Sequence, residues 1–430
     1  MRYDGDSAFL IRNLRAVFKG TDDHKWSDYK TVNLRRILMG IVKRSVMGLS
    51  AVALGAALAS GSALADGHQT QGISDNEIQI GAFGPFGGPV YLYGKLVMNG
   101  VAAVFDKVNE AGGVHGRKLT LVREDDNCKP EGSIAAVKKL AYSEKVFAIV
   151  GGACSNATLA SVPELEKSGI PMIINSAVAD AISTPVKKNI YTTQLTSSIE
   201  SRAQLNYALE KGAKKIAVVR MTDAWAMARY NPLIAYAKEK GVKFIADLEL
   251  QIDAPDATPQ ALKLKAAGAD AVIFILYAKP AAVMMRDALK LGYNPEWVGQ
   301  TAINDFAAFQ KQVGIPGALK NFATITAIAY QPTDPEMKDW AARLQKLFPN
   351  DELSTFNLNG IGSAQVIVEA LTNVGRDLTR DKFLAAMGNI KDFESDAYAG
   401  KITCDHPRSH QCNQTPGWLA LRDGKIVRLD

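Results

Sequence analysis

From Glu77 onward the chain alternates short apolar strands with amphipathic helices, and after Thr193 it starts the same alternation again. This rhythm constrains the fold more than any other feature of the sequence. Ile78, Ile80 and Ala82 alternate along the first strand, and Val97, Val101, Val104 and Val108 share one face of the helix that comes next. Further strands are predicted at 119–123, 147–150 and 172–174, with helices at 133–143 and 156–167. The second round places helices at 198–211, 231–240, 258–267 and 280–291, and strands at 215–220, 243–249 and 271–276. Helical patterns then recur at 335–347, 357–373 and 379–387, and the chain ends in short strands near 401–403, 418–421 and 425–427. Strands alternating with helices specify parallel sheets covered on both faces. The expected fold is therefore α/β, with two doubly wound parallel-sheet lobes.

In such sheets a ligand sits at the carboxyl ends of the strands, and two facing lobes make a cleft between them. The loops to inspect are Gly84–Tyr93, Gly151–Thr158, Asn175–Ser183, Met221–Ala228, Tyr277–Pro280 and Gln300–Asp305.

The front end reads differently. The full chain has 430 residues and a formal charge of +6. Residues 1–65 hold ten Lys or Arg against five Asp, so +5 of that charge lies there. Lys43-Arg44 precede an uncharged run that closes on Ala63-Leu-Ala65, the pattern of a secretory signal peptide cut after Ala65. Met39 would begin an ordinary signal peptide, so residues 1–38 are set aside as an upstream extension. The remaining 365 residues (430 − 65) are near neutral, which leaves no electrostatic footprint for nucleic acid. They contain no second apolar run of membrane-spanning length. The expectation is a soluble periplasmic protein with no direct membrane insertion after cleavage.

All four cysteines, Cys128, Cys154, Cys404 and Cys412, lie in that exported part, where an even count favours disulfides. Three pairings are open, and the two local ones are favoured. A Cys128–Cys154 bond would close a 27-residue loop, with a chain-entropy ceiling of roughly 3.5 kcal/mol. Cys404, His406, His410 and Cys412 also suggest zinc, but they lack the C-x₂₋₄-C spacing of common sites.

Catalytic patterns are mostly missing. Gly81–Gly88 does not spell G-x-G-x-x-G, and Pro85 and Pro89 break the helix opening that would cradle a pyrophosphate. Ser155 is not in a G-x-S-x-G elbow, and none of His115, His406 and His410 falls in the six loops. Glu124-Asp125-Asp126 reads as a solvated strand end rather than an acid–base pair. The expectation is no enzyme, no cofactor and no metal. The loops can bind, however. Ser155 and Asn156 open a helix, where amides and a hydroxyl can hold a carboxylate. The same Ser155 equally suits an ordinary N-cap. Tyr91, Tyr93, Trp225 and Tyr277 could supply an apolar wall with polar tips.

Four stretches carry a resemblance: Gly84-Pro-Phe-Gly-Gly-Pro-Val-Tyr-Leu-Tyr93-Gly94, Glu110-Ala-Gly-Gly-Val-His-Gly-Arg-Lys118, Glu124-Asp-Asp-Asn-Cys128-Lys-Pro130 and Gly151-Gly-Ala-Cys154-Ser-Asn-Ala-Thr158. As a set, over nearly all of 75–430, the chain resembles the periplasmic leucine/isoleucine/valine-binding proteins of ABC importers. The resemblance implies the type I periplasmic-binding fold with a three-segment hinge. Lobe 1 would comprise 75–194 plus 327–402, and lobe 2 would comprise 195–326 plus 403–430. It also implies a Cys128–Cys154 disulfide and a ligand delivered to a membrane-embedded ABC permease. Carried over, Ser155 and the Ala177 backbone would hold the ligand carboxylate, with Tyr93 beside them; Asn156 and Ser176 complete the expected ligand-binding set on this side. Trp225 stands where the family has a Tyr, and Tyr277 matches a Tyr that helps hold the ammonium. Two departures matter. Val178 stands for a family Thr, and Thr301 stands for the Glu that pairs with the ammonium, a place that Asp223 or Asp305 could fill instead. A buried ammonium without a charge partner is costly. The ligand implied is then a branched-chain or hydrophobic amino acid, or a related carboxylate lacking the amine, such as an aromatic or keto acid. A ligand-sensing ectodomain is the other functional class this architecture serves.

Overall fold

The structure, a computed structural model, describes residues 68–88, 90–404 and 410–429. The signal-peptide pattern, Pro89 and His406 lie outside these residues. Residues 69–430 cluster as one unit.

Five strands make the first sheet: β1 (Glu77–Gly84), β2 (Lys118–Asp125), β3 (Ala148–Gly151), β4 (Met172–Ile174) and β5 (Ile190–Thr192). All pair in parallel, in the order β2-β1-β3-β4-β5. The helices that return the chain are α1 (Lys95–Glu110), α2 (Pro130–Lys138) and α3 (Ser155–Ser168). After α4 (Ser197–Glu210) the second sheet begins. It uses β6 (Ile216–Arg220), β7 (Ala246–Glu249), β8 (Ala271–Ile275), β9 (Glu296–Gly299) and β10 (Phe322–Thr326), all parallel. The terminal hairpin β11 (Gly417–Arg422) and β12 (Lys425–Leu429) adds to β10 antiparallel, giving β12-β11-β10-β9-β8-β6-β7. Helices α5 (Ala224–Glu239), α6 (Thr258–Ala267), α7 (Ala278–Lys290) and α8 (Phe306–Val313) accompany this sheet. In each sheet the strand order reverses once, between β1 and β3 and between β6 and β8. Those are the switch points where α/β sheets place ligands.

The sequence passes over β5, β9, β10 and α8, and it puts a strand near 401–403. There the chain makes only a single bridge, Phe393 with Ile402. The missed strands are three to five residues long, too short to show a period.

The chain does not finish the first lobe before starting the second. Ile80, Val101, Phe147 and Ile173 share a core with Ile328, Trp340, Leu358, Ile361 and Phe383. These come from α9 (Lys338–Leu347), α10 (Thr355–Val374), α11 (Arg380–Gly388) and the segment leading to them. α10 crosses α1 at backbone contact. A Cβ on Gly360 would stand 1.9 Å from the Val97 carbonyl oxygen, and one on Gly100 would stand 2.1 Å from that of Asn357. Only glycine fits at either position.

Two disulfides form, Cys128–Cys154 and Cys404–Cys412, so Cys404 and Cys412 are not thiolates for zinc. Nδ1 of His410 donates to the Ile190 carbonyl at 3.0 Å, and the ring stacks on Tyr191 at 4.0 Å. Cys404 and Cys412 pack in the first core, not the second, although 403–430 was expected with lobe 2. The reason is local pairing: the amide of Thr192 donates to the His410 carbonyl and that of Cys412 to Thr192. The tail thus runs along β5 before it reaches β11.

Candidate functional site

Residues from all six inspected loops converge on one cavity of about 220 Å³ between the two sheets. Tyr93, Ser155, Asn156, Ser176 and Val178 line it from the first lobe, and Trp225, Tyr277 and Thr301 from the second. Ala177 is the exception. It is buried without lining the cavity, and its amide donates to the Gly152 carbonyl at 2.8 Å. That N–H is therefore committed and is not offered to a carboxylate.

The first wall is the start of α3. β3 ends at Gly151, whose φ is 143° and where a Cβ would stand 2.3 Å from the Phe83 carbonyl. The chain then turns into the helix at Ser155. Cys154 occupies the N-cap without a side-chain cap bond, because its sulfur is bonded to Cys128. The opening amides of a helix have no intrahelical partner, and here they stand at the cavity edge with the positive end of the dipole. The Ser155 hydroxyl oxygen accepts from the amides of Val178 (3.2 Å) and Ala179 (3.3 Å), which leaves its proton to donate. Ser155 thus ties two loops together and still offers a donor. The Ser176 hydroxyl donates to the Tyr93 carbonyl at 3.2 Å.

The second wall is aromatic and charged. Trp225 stacks on Tyr277 with centroids 4.2 Å apart, and Tyr93 reaches across to Tyr277 at 5.8 Å. Phe356, at the start of α10, meets the Tyr93 ring edge-on at 5.0 Å. Burial pushes the phenol pKa of both Tyr93 and Tyr277 up, only partly opposed by the positive charge of Arg229. Both hydroxyls stay protonated and can donate.

Arg229 lies just beyond the Met221–Ala228 loop and was not among the expected site residues. It lies one turn into α5 from Trp225, is 1% exposed and lines the cavity. Its guanidinium carbon sits 4.0 Å from the Trp225 ring centroid. Nε donates to Glu200 Oε2 at 2.9 Å, and the Thr301 hydroxyl donates to Glu200 Oε1 at 2.5 Å. Nη1 is buried with no hydrogen-bond partner among the described residues. Trp225 and Arg229 are four apart, which puts them on one helix face. That spacing was the available signal. Phe356 and Asn359 were also missed, because α10 returns to the cavity from more than 150 residues beyond the first-lobe strands. Asn359 brings a second buried atom without a partner, Oδ1.

Two parallel-sheet lobes with a polar, aromatic-walled cavity between them define a ligand-capturing protein of the type I periplasmic-binding fold. The family model for periplasmic binding proteins matches residues 77–420. The chain belongs to that family, whose members are extracytoplasmic solute-binding proteins and not enzymes. It is 25% identical over 313 residues to Leu/Ile/Val-binding protein homolog 7 of Brucella abortus (strain 2308), covering 69% of this chain and 77% of that protein. Among solved structures it is similar to the branched-chain amino acid transporter substrate-binding protein LivJ of Streptococcus pneumoniae in complex with isoleucine. There the TM-score is 0.68 and the identity 23%, over 82% of this chain and 99% of that one. It is also similar to an ABC transporter solute-binding protein of R. palustris in complex with 4-hydroxybenzoate. There the TM-score is 0.67 and the identity 21%, over 83% of this chain and 96% of that one. Among the described residues no helix is long and apolar enough to cross a membrane.

Proposed function

We propose that the chain is the periplasmic solute-binding component of an ABC importer and that it captures a small organic acid lacking an ammonium group. The carrying observation is the Glu200–Arg229 pair behind Thr301. At the end of the cavity where an amino acid's ammonium would need an anion, the nearby carboxylate is buried and already paired, and the group lining the cavity is a cation. Among the described lining residues Asp223 is the one carboxylate, and it is exposed, with Oδ1 accepting from the Ala226 amide at 2.8 Å to cap α5. The acid's carboxylate sits at the α3 N-terminus with the Ser155 hydroxyl, and its body lies against Trp225 and Tyr277. The bound 4-hydroxybenzoate of the R. palustris neighbour supports an acid of this kind, and the bound isoleucine of the S. pneumoniae neighbour supports an amino acid. The cavity charge favours the first. Capture closes the lobes by selecting the state the ligand binds better, and the permease recognises that closed surface. Export by a signal peptide cut after Ala65 belongs to the same proposal.

A thermal-shift screen of the purified protein against amino acids, aromatic acids and keto acids tests the reading. A ligand at 100 times its Kd adds about 2.7 kcal/mol. With an unfolding entropy of about 2.1 cal/mol/K per residue over roughly 360 residues, that raises Tm by about 3–4 °C. A shift with leucine and none with any amine-free acid would reject the proposed ligand class.

A further inference from the structure

Resting on that reading, the cavity says more about the ligand's far end. Arg229 is buried, its Nε is fixed by Glu200, its face is covered by Trp225, and Nη1 is left without a partner among the described residues. A guanidinium held so firmly by Nε keeps donor capacity that no described residue takes up. An unsatisfied buried donor is costly, most of all on a charged group; Arg229 lines the cavity, and the unmet hydrogen-bonding capacity of its guanidinium points to an acceptor that arrives with the ligand. The position also matters. Arg229 stands on the second lobe, while the α3 N-terminus and Ser155 stand on the first. An acid already held by its carboxylate on the first wall reaches Arg229 only with its other end.

We propose that the ligand is an acid with an oxygen acceptor at each end, and that Arg229 is the anchor for the second one. The class is a small dicarboxylate or an acid bearing a far-end hydroxyl. The planar fork of the guanidinium suits a carboxylate in particular. Such a ligand bridges the two lobes through polar contacts at both ends, so its second oxygen binds only when the lobes are together. Glu200 is then a positioning residue, which holds the fork and balances its charge without touching the ligand.

The test compares paired acids by calorimetric titration: benzoate against 4-hydroxybenzoate and terephthalate, and pentanoate against glutarate. The wild-type protein should prefer the doubly oxygenated member of at least one pair by tenfold or more. In the double variant Arg229→Met/Glu200→Gln, which removes both buried charges together, that preference should fall below threefold. Arg229→Lys, which keeps a charge beside Glu200 but loses the fork, should lower the preference by severalfold. Should the double variant not fold, Arg229→Lys carries the comparison. Acids that bind without preferring the second oxygen, or a preference that survives both variants, would overturn the role of Arg229 and leave the acid-binding reading standing. Binding of amino acids alone would overturn both.

Discussion

Replacing Glu200 alone by Gln leaves the Arg229 charge without its partner in a site where the two side chains are 0% and 1% exposed. Breaking a buried ion pair from one side costs about 3–5 kcal/mol, because the surviving charge stays desolvated. Replacing Arg229 alone by Met strands Glu200 in the same way, with only the Thr301 hydroxyl bonded to it. At about 2.1 cal/mol/K per residue over roughly 360 residues, the penalty corresponds to a Tm fall of about 4–7 °C for each single variant. The double variant removes both charges and should recover most of the loss, leaving about 1–2 kcal/mol for the packing and hydrogen bonds no longer made. Calorimetry on the four proteins without ligand closes the cycle. The expected interaction energy is several kcal/mol, far above the few tenths seen for independent sites. Single variants costing under about 1 kcal/mol, or a double variant equal to their sum, would show that the pair is hydrated. The guanidinium would then be neither dry nor fixed.

Replacing Cys128 and Cys154 together by Ser should lower stability by up to about 3.5 kcal/mol, the chain-entropy ceiling for that loop; equal denaturation midpoints would contradict it. The same variant should also weaken acid binding in a titration, since the bond pins the α3 N-terminus to the loop between β2 and α2. Gly360→Ala places a Cβ 1.9 Å from the Val97 carbonyl oxygen. It should cost more than the roughly 1–3 kcal/mol of ordinary overpacking, and a urea midpoint within error of wild type would show that α1 and α10 separate freely. Burial lowers the His410 pKa below its usual value, so the folded state holds this ring neutral. Its contribution to stability is complete above the unfolded value of about 6.5 and is lost as pH falls through the lower folded value. Tm should therefore drop more between pH 7 and 5 in wild type than in His410→Gln; parallel curves would refute the assignment.

The alternation of strand and helix exposed both sheets apart from β5, β9 and β10, and the loops after parallel strands cluster whatever their sequence. Ser155, Tyr93, Trp225 and Tyr277 were legible for that reason. Arg229 was not, because its meaning depends on Glu200, which lies 29 positions away on another helix. A lone Arg on a helix reads as a solvated charge. Ala177 failed in the opposite direction. Its position in the loop was right, but which carbonyl takes its amide is a matter of register between β3 and β4, and no pattern of residue types records that. The resemblance set the tail from 403 with the second lobe, whereas the backbone at 410–412 pairs with β5.

The interleaving of the two lobes also dictates an order of events in time. Val101, Phe147 and Ile173 cannot be sealed until Leu358, Ile361 and Phe383 exist to cover them. A chain emerging from its N-terminus therefore carries an open first core through some 150 further residues, while everything needed for β6 to β10 of the second sheet is already present. The later-encoded half can settle first and the earlier-encoded half last.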